Sequence, residues 1–140
     1  MKIYLASPFF NETEIKYVEK AEKILRDRGF YVYSPREHEY RGEDEVGSPA
    51  WSLGIFNEDR KFIDVCDCVV MLYHGNYSDS GTAWECGYAY ATHTPVIVVH
   101  LGDTSNLMVH EGSHSNIFID DLATYDFKTM PSNMYTGKMF

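Results

Sequence analysis

The segment Asp79-Ser80-Gly81-Thr82-Ala83-Trp84-Glu85-Cys86-Gly87 carries the clearest chemical signal in the chain. Asp79 or Ser80 can cap a helix, which puts Glu85 in that helix's first turns. Free N–H groups and the helix dipole favour an ionised carboxylate there. Such a carboxylate in a partly apolar pocket is suited to act as a nucleophile. Its plainer role is to complement the dipole of its own helix. Gly81 and Gly87 permit close approach, of a ligand and of a neighbouring strand respectively. Glycosyl chemistry usually needs a second acid. Asp67 is the candidate: it lies inside the apolar run Cys66-Asp67-Cys68, where an unpaired charge is costly. Asp67, Asp79 and Glu85 are expected to converge at one edge of a sheet. Asp64 reads as a solvated helix end.

Two further groups bear on chemistry. Phe9 and Phe10 follow an apolar run and offer a platform for a flat ring, with one of the two expected to bury. His110-Glu111-Gly112-Ser113-His114 has the spacing of a zinc-protease motif, but Gly112 and Ser113 weaken the helix that both imidazoles would need. No metal and no organic cofactor is expected. Cys66 and Cys68 sit on one face of a strand by simple alternation.

Strands and helices alternate along the chain. Ile3 to Ala6 reads as a first strand. A helix follows, with Asn11 as cap, Glu14 completing the box and Gly29 as its end. Phe30 to Tyr33 is a second strand. Arg36 to Pro49 is polar and reads as a long loop or lid. Trp51 to Val65 is helical. Cys68 to Tyr73, apolar throughout, is a strand covered on both faces. Gly75 to Gly81 is a turn-rich loop, and Thr82 to Thr92 a helix. Pro95 to Leu101 is a fourth strand, Asn106 to His114 is ambiguous, and Ile117 to Ile119 is a fifth strand. Asp120 to Phe127 reads as a short helix before an irregular tail. The expected fold is a flavodoxin/Rossmann-like α/β domain over residues 1–140, a parallel sheet of about five strands with helices on both faces. Ligands of such sheets sit at the carboxyl ends of the strands.

Composition narrows the partners. The chain has 140 residues and a formal net charge of −9, so nucleic acid is a poor partner. No apolar run is long enough to span a membrane. The first residues are too short a stretch for a signal peptide. The three cysteines then read as reduced thiols of a cytoplasmic protein. Eleven tyrosines suit stacking surfaces or a subunit interface.

The chain resembles the nucleoside 2-deoxyribosyltransferases. The matching pieces are Lys2-Ile3-Tyr4-Leu5-Ala6-Ser7-Pro8-Phe9-Phe10, Ser34-Pro35-Arg36-Glu37, Asp67, Asp79, Gly81-Thr82-Ala83-Trp84-Glu85-Cys86-Gly87, Asn106-Leu107-Met108 and Tyr135-Thr136-Gly137-Lys138-Met139-Phe140. The resemblance implies transfer of a 2-deoxyribosyl group between purine or pyrimidine bases of free deoxynucleosides. It implies Glu85 as the nucleophile at the anomeric carbon, Tyr4 as the residue that orients it, and Asp79 on the sugar hydroxyls. Asp67 is implied as the acid near the leaving base. Asn106 and Met108 are implied as residues lent by a neighbouring subunit, and the carboxylate of Phe140 as a sugar contact. A homo-oligomer of dimer units, a hexamer, with shared sites follows from the same resemblance.

Two positions depart from the family pattern. Glu39 stands where some members have a base-reading glutamine, and an ionised carboxylate donates no hydrogen bond. Phe140 replaces a tyrosine. Two other functions stay open: an N-glycosidase that hydrolyses nucleosides or their monophosphates, and a non-catalytic nucleotide-binding module. A first loop without a basic residue argues against a phosphorylated substrate.

Overall fold

The computed structural model describes residues 1–75 and 79–140. Its elements are β1 (Lys2–Ala6), α1 (Glu12–Asp27), β2 (Tyr31–Tyr33), α2 (Pro49–Val65), β3 (Cys68–Tyr73), α3 (Ser80–Ala91), β4 (Val96–His100), β5 (Thr104–Ser105), α4 (Leu107–Glu111), β6 (Ser115–Phe118) and β7 (Lys138–Met139). Five strands form one parallel sheet in the order β2-β1-β3-β4-β6. This is a doubly wound order, in which the direction of strand succession reverses between β1 and β3.

The alternation of side chains along each strand divides the core in two. Ile3, Leu5, Val70 and Leu72 pack against Val18, Ala21 and Leu25 of α1, and against Leu122, Tyr125 and Phe127 from the C-terminal segment. Tyr4, Ala6, Val69, Met71 and Tyr73 face the opposite side, against Ile63 of α2 and Ala89 of α3. Every residue of β3 is buried, as its unbroken apolar sequence requires.

The helix ends follow local chemistry. Asn11 accepts from the Glu14 N–H, and Glu14 accepts in turn from the Phe10 N–H, closing α1's start. Gly29, with φ 84°, takes the left-handed conformation just past its end. Ser48 caps α2 at the Trp51 N–H and Asp79 caps α3 at the Thr82 N–H.

Three expectations are corrected. Asp120 to Phe127 is not a helix: a 3-10 turn covers Ile119–Asp121, and the chain then folds back. Asp126 captures the N–H groups of Lys128 and Thr129, which competes with helical bonding. The stretch 36–49 is not wholly a free loop. A 3-10 turn at Pro35–Glu37 is tied to α1 by Arg36 on Glu22 and Arg26 on Glu37. The tail is not irregular throughout, because β7 pairs with β5 in a second, two-stranded sheet. The middle of the loop expected over Gly75 to Gly81 lies outside the described residues. Among the described residues no helix is long and apolar enough to cross a membrane.

Candidate active site

The reversal between β1 and β3 leaves the sheet face beneath α2 and α3 as the place where polar groups gather. Tyr4 leaves the middle of β1 on that face. Its ring is fully buried and its hydroxyl donates to Glu85 Oε1 at 2.7 Å. The neighbouring Tyr33 of β2, in register with Tyr4, donates to Asp59 Oδ1 of α2 at 3.1 Å. Asp59 and Glu85 both line a cavity of about 290 Å3 closed by Phe56, Arg60, Ile63, Gly81 and Trp84. Arg60 turns away to pair with Asp64 at 2.8 Å, and Asp64 also accepts from the Tyr88 hydroxyl.

Electrostatics here differ from the sequence-based expectation. Glu85 lies beyond the first turn of α3, and the N–H groups of that turn are served by Asp79. Dipole support fades within a turn. Burial dominates instead and pushes the Glu85 carboxyl up to about 7, helped by the charges of Asp59 and Asp79 and opposed by the Tyr4 hydrogen bond. Burial also raises Asp59 above the usual carboxylate range, against the pull of Tyr33. The charge of Asp59 is thus one cause that keeps the Glu85 carboxyl above its ordinary range.

Asp67 is not in this site. It precedes β3, its side chain accepts from the Lys2 N–H at 2.6 Å, and its N–H donates to the Lys2 carbonyl. It therefore flanks the amino ends of β1 and β3, roughly 20 Å of strand from their carboxyl ends. Its partner is the backbone of its neighbour strand, which answers the cost of a charge in an apolar run. The acid beside Glu85 is Asp59. The sequence holds a trace of it: Asp59 falls within a turn of Phe56 and Ile63 on α2, and all three line the cavity.

The other expected residues divide into groups. Asp79 Oδ2 takes the N–H and the hydroxyl of Thr82, and a Cβ on Gly81 would come within 3.2 Å of the same oxygen. Gly87 does not serve close strand packing, since a Cβ there would meet nothing within 4 Å. Phe9 and Phe10 stack on each other at 5.6 Å at the carboxyl end of β1. Neither is buried: 37% of Phe9 and 75% of Phe10 is exposed, so the expectation that one enters the core fails. Glu39 is exposed in the loop after the 3-10 turn and does not line the Glu85 cavity.

Asn106, Met108 and Phe140 come together elsewhere. Asn106 caps α4 through the Met108 N–H, and the Phe140 N–H donates to the Ser105 carbonyl. Met108, 76% exposed, lines a second cavity of about 430 Å3 with Cys86, Gly87 and Tyr90, on the opposite flank of α3 from Glu85. Within one chain this ledge does not reach the carboxylates. His110 lies in α4 and bonds Ser105, while His114 lies past the helix end and bonds the Met130 carbonyl, so the two imidazoles share no helical face.

A doubly wound sheet with a tyrosine-held carboxylate pair beneath two helices defines an α/β protein with a buried acidic site. The chain belongs to the nucleoside 2-deoxyribosyltransferase family, whose model matches residues 3–127. A solved 2-deoxyribosyltransferase from Bacillus psychrosaccharolyticus superposes with a TM-score of 0.89 at 41% identity, covering 97% of this chain and 100% of that one. A nucleoside deoxyribosyltransferase of Limosilactobacillus fermentum is 28% identical over 70% of this chain, and the match spans 64% of that protein's length. A Clostridium botulinum CMP N-glycosidase shares the fold, with a TM-score of 0.58 at 22% identity over 84% of this chain and 88% of that one.

Proposed function

We propose that this protein moves the 2-deoxyribosyl group of free deoxynucleosides from one base to another through a covalent ester on Glu85. One observation carries the reading: Glu85 and Asp59 share a small cavity, each held by its own buried tyrosine. Tyr4 occupies Oε1 of Glu85, which leaves Oε2 free to attack the anomeric carbon. As the C–O bond forms, the C–N bond to the departing base breaks, and a proton passes from Asp59 to the base. The second base then attacks from the opposite face, returns a proton to Asp59 and releases Glu85, with net retention. The sugar's missing 2-hydroxyl eases the oxocarbenium-like transition state. Asp79 serves the sugar hydroxyls.

Phe9 and Phe10 supply an exposed aromatic face for the base, and Glu39 reads its edge. Asn106, Met108 and Phe140 form a ledge that a neighbouring copy uses, in a homo-oligomer of dimer units that reaches a hexamer. The reaction runs in the cytoplasm on small molecules, with no metal or organic cofactor. The first loop, Ser7-Pro8-Phe9-Phe10, has no basic residue to hold a phosphate, which favours nucleosides over their monophosphates.

The test is chromatographic. The protein is incubated with deoxyinosine or thymidine plus adenine, beside Glu85→Ala and a parallel reaction on a deoxynucleoside monophosphate. Deoxyadenosine, lost in the variant, is the expected product. Free deoxyribose in the presence of adenine makes the protein a hydrolase. Cleavage confined to the monophosphate overturns the assignment of the first loop, and no turnover leaves the binding module.

A further inference from the structure

We propose that Tyr33 is a positioning residue of the transfer reaction, holding Asp59 in the orientation from which it exchanges a proton with the base. The inference deepens the proposed function and rests on its assignment of Asp59.

Tyr33 is a tyrosine where packing alone asks for a phenyl ring. It is 2% exposed, and its ring is stacked on Phe62 at 3.7 Å, on His38 at 4.1 Å and on Tyr4 at 5.5 Å. Stacking against these neighbours restrains the plane of the ring and with it the direction of its hydroxyl. The hydroxyl points at Asp59 Oδ1. The hydroxyl donates, so Oδ1 is occupied and Oδ2 is left to carry the exchangeable proton. β2 is short, and the chain just after it is fastened to α1: Ser34 Oγ donates to Glu22 Oε1 at 2.6 Å, and Arg36 Nε to the same oxygen at 2.8 Å. The fastening keeps His38 over the Tyr33 ring and the ring beneath α2.

The groups facing this pair come from every neighbouring element. Tyr33 from β2, His38 from the following loop and Glu58 from α2 act on Asp59. Tyr4 from β1, Asp59 from α2 and Asp79 at the start of α3 act on Glu85. Arg60, which also lines the cavity, is paired with Asp64. Among these, the Tyr33 hydroxyl favours the ionised form of Asp59 and acts on it directly. Without it, Asp59 keeps its proton to higher pH. A neutral Asp59 is a milder neighbour for Glu85, which then ionises at lower pH.

The variant Tyr33→Phe keeps the ring and its stacking, and Tyr33→Leu removes both. In Tyr33→Phe we expect kcat for base exchange to fall about tenfold with KM within about twofold. The pH profile of kcat/KM is expected to shift, the limb set by Asp59 moving up and the limb set by Glu85 moving down. Limbs that stay where they are overturn the proposal, as does a Tyr33→Phe that matches Tyr33→Leu in every parameter. Carboxyl 13C titration of aspartate-labelled protein gives a readout without turnover. A higher Asp59 midpoint in Tyr33→Phe supports the proposal, and an unchanged one overturns it. Absence of transfer in the unaltered protein refutes the proposed function, and the titration still decides how Tyr33 acts on Asp59.

Discussion

Tyr4 and Tyr33 stand side by side on adjacent strands, ring centroids 5.5 Å apart, and each gives its hydroxyl to a carboxylate on a different helix. The sheet thus fixes two acids that belong to α2 and α3. Neither helix could do so alone, because carboxylates on separate helices move with those helices. Burial raises both tyrosines well above the ordinary phenol range, so they stay protonated and remain donors across any working pH.

Removal of the Tyr4 hydroxyl should therefore act through Glu85. Tyr4→Phe deletes a hydrogen bond that favours the ionised carboxylate, so the Glu85 carboxyl rises further. The limb of kcat/KM set by Glu85 is expected to move up, opposite to its direction in Tyr33→Phe. A hydrogen bond to a charged group is worth about 1.5–3 kcal/mol, so kcat/KM below that limb should fall roughly 10- to 100-fold. Steady-state profiles from pH 5 to 9 check this, and a Glu85 limb that fails to rise refutes it.

Exchanging the two aspartates in turn tests the corrected site. Asp59→Asn is expected to lower base exchange by about 100-fold or more, within the range for losing a general acid. Asp67→Asn keeps an oxygen for the Lys2 N–H and is expected to hold activity within about twofold. Equal losses in the two variants would return Asp67 to the site.

The error over Asp67 shows where the sequence stops being informative. The periodicity of apolar residues placed five parallel strands and three long helices, because each has a face that must bury. The cap residues Asn11 and Asp79 were legible for the same local reason. Asp67 and Asp59 look alike in one dimension: each is a charge amid apolar neighbours. They differ in which end or face of the sheet receives them, and that is a property of strand register and helix packing. The pairing of β5 with β7 was hidden likewise, since two residues carry no period.

The exposed pair at the mouth of β1 gives a binding prediction. Phe10 is mostly solvent-exposed and stacks on Phe9, so replacing it costs the fold little. Phe10→Ala is expected to raise KM for the acceptor base, with base stacking worth about 1–3 kcal/mol per aromatic. Melting temperature should stay within about 2 °C. A kcat loss at constant KM would assign the pair a different task.

The carboxyl group of Glu85 also sets a pH-dependent cost on the fold. Its folded value, about 7, lies above its ordinary value of 4.5. The folded state therefore binds more protons than the unfolded state between those values, and stability falls as pH rises from 4.5 through about 7. Glu85→Gln keeps an oxygen for the Tyr4 hydroxyl but cannot ionise. The variant is expected to melt above the unaltered protein at pH 8, and the gap should close towards pH 4. Each kcal/mol relieved is worth roughly 3–4 °C in a chain of this size. Calorimetry at both pH values reads the difference directly. A gap of the same size at both values would mean that folding does not shift the Glu85 carboxyl, and that burial does not govern it. A gap confined to high pH would mean that the protein carries a destabilising carboxylate at its centre, a cost that catalysis explains and packing does not.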